Sequence, residues 1–174
     1  VISADVIALR ESLGVPGMRV RQFGFHGAVT DPRLPHNYER DVVAYTATHD
    51  NDTTVGWYRA QDEQVRHRAR LYSGSSGEDI AWAFVRLVGN SVADWAVFPL
   101  QDALGLGSEA RMNQPGRGEG NWAWRFREDA LSDDLATALR DMAHACGRWA
   151  ETGTELEEPS PLVIEYEEPS PRHD

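Results

Sequence analysis

The residues best suited to chemistry stand together in Thr48-His49-Asp50-Asn51-Asp52-Thr53, directly behind the short run Val42-Val43-Ala44-Tyr45-Thr46. A carboxylate at the end of a buried strand can hold charge beside a reacting centre, and an adjacent imidazole can donate to a substrate oxygen. The same residue types also build an ordinary loop, in which Asp and Asn satisfy their own backbone and cap the next helix. Spacing leaves both readings open. Asp50 and Asp52 sit two apart as in a calcium loop, but the turn glycine of such a loop belongs where Val55 stands, and the closing Glu is missing. His26, His36, His49 and Asp50 have no recognisable ligand spacing, so neither a metal nor another cofactor is expected.

Six Trp residues are many for this length. Trp122 and Trp124, in Asn121-Trp122-Ala123-Trp124-Arg125, would share a face of an extended segment. Flat aromatic faces suit the C–H faces of sugars, and they are equally good core material. Trp82 and Trp95, inside apolar runs, are expected in the core.

The elements that must position these groups follow from pattern. Ser3 can cap a helix carrying Val6, Leu9 and Leu13 on one face, with Gly14 as its stop. Met18–Phe25 and Val42–Thr46 read as strands, the second apolar enough for a buried parallel sheet. Residues 54–70, rich in Arg, read as an exposed helix. Ser76 and Asp79 form a capping-box pattern before Ile80–Val88, an apolar and therefore buried helix. Asp94–Leu100 reads as a third strand ending in Gln101-Asp102, and a last helix starts at Ser132 with Leu135, Leu139, Met142, Cys146 and Trp149 on one stripe. Helices alternating with short apolar strands predict an α/β fold with a parallel sheet and polar residues at the strand C-termini. A closed barrel needs eight strands and typically about 250 residues, so three strands predict either a small open sheet or a piece of a barrel.

The 174 residues carry 28 acidic and 17 basic groups, a net charge of −11, which argues against a general nucleic-acid partner. Every basic residue is Arg. Apolar runs fall far short of the roughly 20 residues that cross a bilayer, and no basic-then-apolar leader opens the chain, so neither membrane association nor secretion is expected. The single Cys146 excludes an intrachain disulfide and a multi-Cys zinc site, and a cytoplasmic setting is the expectation. Residues 151–174 hold eight acidic groups and one Arg, with the duplication Glu157-Glu158-Pro159-Ser160-Pro161 and Glu167-Glu168-Pro169-Ser170-Pro171. This stretch reads as a disordered acidic, Pro-rich tail behind a domain of residues 1–150.

Several motifs in order carry a resemblance. Gly17-Met18-Arg19-Val20, Leu34-Pro35-His36-Asn37-Tyr38, Tyr45 through Thr53, Phe98-Pro99-Leu100-Gln101-Asp102, Leu104-Gly105-Leu106-Gly107, Ala110-Arg111-Met112-Asn113 and Asn121-Trp122-Ala123-Trp124-Arg125 resemble the 4-alpha-glucanotransferase family (amylomaltase, disproportionating enzyme; glycoside hydrolase family 77). The resemblance implies the C-terminal portion, about strands six to eight, of a (β/α)8 TIM barrel. It also implies transfer of alpha-1,4-glucan segments between malto-oligosaccharides by a retaining double displacement. Asp50 takes the place of the family's transition-state-stabilising Asp, and His49 that of its substrate-binding neighbour. Asn113, Trp122 and Trp124 are the further expected sugar contacts. The family's nucleophile and acid/base carboxyl groups belong upstream of the matched region, so this chain alone is expected to be inactive. A non-catalytic alpha-glucan-binding module is the competing expectation.

Overall fold

The computed structural model describes residues 2–149. Three short strands, β1 (Gly17–Val20), β2 (Val42–Tyr45) and β3 (Trp95–Val97), form one parallel sheet in the order β1-β2-β3. Met18, Val43 and Trp95 lie opposite one another across the sheet, as do Val20, Tyr45 and Val97. Helix α1 (Ala4–Ser12) precedes β1, and α2 (Thr54–Ala60), α3 (Glu63–Ser73) and α4 (Ile80–Gly89) connect β2 to β3. The short α5 (Leu100–Ala103) follows β3, and α6 (Asp133–Ala145) is the last helix among the described residues. The mixed α/β class and the parallel pairing agree with the alternation of patterns in the sequence.

The core sits between the sheet and α4. Val42 and Ala44 point to one face and pack with Tyr38, Val88 and Ala93. Further along α4, Ile80 and Phe84 join Phe25, Trp57, Val65 and Ala69. The Phe25 ring stacks on Phe84 at 5.4 Å and lies 5.6 Å from Trp57. Burying a side chain such as Phe84 contributes about 2–3 kcal/mol, which explains why an almost wholly apolar helix occupies this place. The opposite face of the sheet is only partly covered: Val20 is buried there, but Trp95 is 64% exposed. Met18 and Val97 are exposed beside it. Among the described residues no helix is long and apolar enough to cross a membrane.

Several expectations require correction. The first strand stops at Val20, and Arg21–His26 winds into a 3-10 turn. In a strand, residues four apart are about 13 Å apart; the turn instead brings the Arg21 guanidinium 3.8 Å from the Phe25 ring centroid. The Arg-rich segment is two helices rather than one, because Asp62 starts a new helix by accepting from the Val65 N–H. Nor is it wholly exposed, since Trp57, Val65 and Ala69 face α4. The Ser76–Asp79 capping box does not form: the Asp79 carboxylate accepts from the Ser75 hydroxyl and pairs with Arg86. Ser3 makes no side-chain cap, whereas Ser132 does accept from the Leu135 N–H. Trp95 is exposed rather than core, and Trp82 is half-buried, its indole N–H donating to the Ala103 carbonyl at 3.0 Å.

Helix α6 reaches α4 through Met142 and Cys146, which approach Gly89 so closely that a Cβ there would meet Met142 Sδ at 2.9 Å. Trp149 lies against His144 with ring centroids 4.8 Å apart and stays exposed. The acidic tail, and with it the expected boundary at residue 150, lies outside the described residues.

Candidate functional site

The polar loop after β2 divides its work. Asn51 Oδ1 accepts from both the N–H and the hydroxyl of Thr48, closing a turn. Thr53 caps α2 by accepting from the Gly56 N–H at 3.0 Å. Asp52 is fixed from two sides, its carboxylate accepting from Ser108 Oγ at 2.7 Å and its carbonyl from Gln22 Nε2 at 2.8 Å. These contacts satisfy the backbone, so the structural role of the loop falls to Asn51, Asp52 and Thr53. His49 and Asp50 are left with half-exposed side chains.

A second segment comes back over them. The Asn113 side-chain amide donates to Asp50 Oδ1 at 2.5 Å, and His49 Nε2 stands 3.3 Å from the same oxygen. The Asn113 N–H donates to the His49 carbonyl. Arg111 braces the pair: its Nη2 donates to the Asp50 carbonyl at 2.7 Å and its Nε to the Asn113 carbonyl at 2.8 Å. Asp50 Oδ2 takes no hydrogen bond from the described residues and remains open to an incoming donor.

Trp122 completes the cluster. Its ring centroid is 5.1 Å from that of His49, and its backbone N–H donates to the Met112 carbonyl. Trp122 has φ +60°, a left-handed backbone that a non-glycine residue adopts at a cost. That value interrupts the extended run on which the expected shared face of Trp122 and Trp124 depends, and Trp124 itself is half-buried.

Beside the cluster a cavity of about 380 Å³ opens at the C-terminal ends of β2 and β3. Met18, Tyr45, Phe98 and Met112 give it apolar walls, and His49 and Arg111 form part of its rim. Asp50, Asn113, Trp122 and Trp124 lie outside its lining. Apolar walls with a few polar groups at one side are the usual make-up of a small-molecule site.

The histidines considered for a metal do not converge. His36 Nδ1 lies 2.7 Å from the Tyr72 hydroxyl and Nε2 2.8 Å from the Val29 carbonyl, while His26 meets Trp57 edge-on. Among the described residues no group of three or more His, Cys, Asp or Glu side chains is placed to hold a metal ion.

Two residues of the arrangement were not singled out for a role by the sequence. Arg111 stands two before Asn113 and acts on backbone carbonyls, which no side-chain pattern announces. Asp102 is fully buried and accepts hydrogen bonds from Thr46 Oγ1, Thr54 Oγ1 and the Thr54 N–H. Burial pushes its carboxyl above the ordinary range, outweighing the three donors that favour the charged form. Its signal was a polar pair, Gln101-Asp102, closing an apolar run.

Comparison with known proteins supplies the relationship. A family model described as 4-alpha-glucanotransferase matches residues 1–132. A 4-alpha-glucanotransferase of Thermus thermophilus is 48% identical over 156 residues, covering 85% of this chain and 31% of its own length. The chloroplastic/amyloplastic 4-alpha-glucanotransferase of Arabidopsis thaliana is 45% identical over 152 residues, covering 85% of this chain and 26% of its own. Among solved structures, an amylomaltase from Streptococcus agalactiae in complex with acarbose matches with a TM-score of 0.82 at 28% identity. It covers 86% of this chain and 31% of that one. The chain thus spans about 30% of the length of such relatives.

Proposed function

This chain belongs to the 4-alpha-glucanotransferase family, and from that premise we propose that it supplies the C-terminal strands of a (β/α)8 barrel and one wall of a glucan-transfer site. In this reading residues 1–150 are the C-terminal part of the catalytic barrel, β1 to β3 are its sixth to eighth strands, and residues 151–174 are an appended acidic tail. The partly uncovered sheet face supports it. Parallel sheets are ordinarily covered on both faces, and Met18, Trp95 and Val97 are apolar side chains without a covering layer here. Placement of the polar cluster at strand C-termini supports it too, since that end of a barrel carries the chemistry.

The observation that carries the functional reading is the Asp50–Asn113 contact with His49 and Trp122 around it. The substrates are alpha-1,4-glucans and malto-oligosaccharides. Retaining transfer uses two carboxyl groups about 5–5.5 Å apart, one forming a covalent glycosyl intermediate and the other protonating the departing glucan oxygen. Both belong to the part of the barrel that precedes this chain. The acceptor hydroxyl then gives its proton back to the second carboxylate and displaces the first, so that one glycosidic bond is broken and one is made.

Asp50 does not take part in covalent bonding. Its Oδ1 is held by Asn113, and its Oδ2 accepts a ring hydroxyl whose hydrogen bond strengthens as positive charge builds on the sugar. His49 donates to a neighbouring hydroxyl, Asn113 contacts the sugar beside Asp50, and Trp122 offers its ring to a sugar face, with Trp124 further along the glucan. The chemistry invokes no cofactor.

The test is transfer from maltotriose. The isolated chain should yield neither glucose nor longer maltodextrins, and the chain joined to the preceding barrel segment of the Thermus thermophilus relative should yield both. Products from the isolated chain would overturn the division of labour. Glucan binding without turnover in the joined protein would favour a binding module.

A further inference from the structure

Helix α5 is only four residues long, yet three consecutive side chains or carbonyls on it reach three different parts of the molecule. Gln101 Nε2 donates to the Ala110 carbonyl at 3.1 Å, at the root of the segment that carries Arg111 and Asn113. Asp102 takes the hydroxyls of Thr46 and Thr54 at 2.6 and 2.8 Å and the Thr54 N–H at 2.7 Å. The Ala103 carbonyl accepts from Trp82 on α4, the most buried helix of the core.

Thr46 follows β2 and Thr54 opens α2, so they are the two ends of the loop that carries His49 and Asp50. Both are fully buried, as is Asp102. A buried carboxylate is costly, and well-packed apolar residues are often as stable or more so. What an apolar side chain could not do is hold both loop ends to one point. Asp102 therefore fixes the Asp50 side of the pair and Gln101 the Asn113 side, and both are referred to α4 through the same turn.

We infer that Asp102 is the positioning residue of the Asp50–Asn113 pair, with Gln101 as its counterpart for the opposing segment. The inference rests on the glucan-site reading for its function, but its geometry does not. Asp102 is fully buried and lies outside the lining of the cavity beside the cluster; it acts through the loop.

The experiment is NMR on the full chain labelled with ¹⁵N, following the Asn113 side-chain amide and the exchange of backbone amides 47–53, with Phe84 and Val85 amides as controls. In Asp102→Ala the loop amides should exchange at least tenfold faster and the Asn113 side-chain signals should move toward those of a free amide. The α4 amides should change less than twofold. Asp102→Asn, which keeps an acceptor for the Thr54 N–H, should fall between. Should Asp102→Ala not fold, Thr54→Val and Gln101→Leu each remove one bond and should move the Asn113 signals in the same direction.

Unmoved Asn113 signals and loop exchange in folded variants would overturn the inference, as would loosening spread equally over α4. None of these readouts involves glucan. Retained transfer by Asp50→Asn would remove the glucan reading and leave this result standing, so the two failures are distinguishable.

Discussion

The amide of Asn113 and the carboxylate of Asp50 meet at 2.5 Å although 63 positions separate them in the chain. The contact leaves one carboxylate oxygen committed and the other open. Asn113→Ala removes the restraint without adding charge, and in the joined transferase it should lower kcat about tenfold to a hundredfold, the scale of one lost hydrogen bond to a charged group. Asn113→Asp should be worse than Ala, because two carboxylates would then face each other at hydrogen-bond distance. Steady-state kinetics on maltotriose distinguish the two, and equal rates for Ala and Asp would deny that Asp50 is charged at work.

Arg21 should destabilise the fold it is buried in. Its guanidinium is fully buried over Phe25 and Tyr72, and its three nitrogens have no hydrogen-bond partner among the described residues. Burial pulls its pKa down to about 10, so holding the cation costs about 3 kcal/mol near neutral pH. Arg21→Met should raise the urea midpoint of unfolding; a lower midpoint would mean that the aromatic faces more than offset the lost hydration.

The pH dependence of the same substitution has a definite sign. Below about pH 10 the native chain bears the full cost of the Arg21 cation, and the cost is relieved as pH rises through that value. Burial pushes Tyr38 up to about 12, so the folded state keeps a proton that the unfolded state loses, and stability falls between pH 10 and 12. The two effects oppose each other in the wild-type chain. Arg21→Met should leave Tyr38 unopposed and steepen the loss of stability above pH 10. An unchanged slope in urea titrations there would contradict the assignment.

Arg148, just after α6, ties that end of the helix to the turn between α4 and β3. It donates from Nε to the Gly89 carbonyl, from Nη2 to those of Ser91 and Ala93, and from Nη1 to that of Asp94. Arg148→Ala should cost about 2–3 kcal/mol, since several carbonyls of the α4–β3 turn lose a charged donor together. Arg148→Lys should recover little, because one ammonium cannot span the carbonyls that the planar fork does. Full recovery by Lys in thermal melts would mean that charge, not geometry, matters there.

The exposed apolar side chains Met18, Trp95 and Val97 on one face of the sheet should make the isolated chain self-associate, as unpaired edges and uncovered apolar patches do. Met18→Lys with Trp95→Lys should weaken association at least tenfold by sedimentation velocity. A parent chain that stays monomeric at high concentration would show that this face needs no cover.

How much of this the sequence could show depends on whether the contacts were local. The parallel sheet, the buried α4 and the loop with His49 and Asp50 were legible because apolar runs and polar punctuation report burial directly. The strand pattern of Met18–Phe25 is wrong from Arg21 on because Arg21 and Phe25 meet in a cation–aromatic contact that leaves no period in the sequence. The split between α2 and α3 was hidden by a mostly charged surface, although Asp62 was a cap in plain view. Asn113 entered as a sugar contact through resemblance, and its approach to Asp50, 63 positions away, was not legible in residue order. Arg111 and Asp102 work through backbone carbonyls and buried hydroxyls, and nothing in residue order marks such a partner. Strict alternation does not run through Trp122, whose backbone turns left-handed.

The most direct test of the account is the effect of Asp50→Asn on the joined transferase, measured as kcat and KM for maltotriose. Asn keeps the shape and the contact with Asn113 but removes the charge that the proposed role requires. The account predicts that kcat falls at least a hundredfold while KM changes less than threefold. A near-normal kcat, or a loss confined to KM, would contradict it and leave Asp50 a binding residue only.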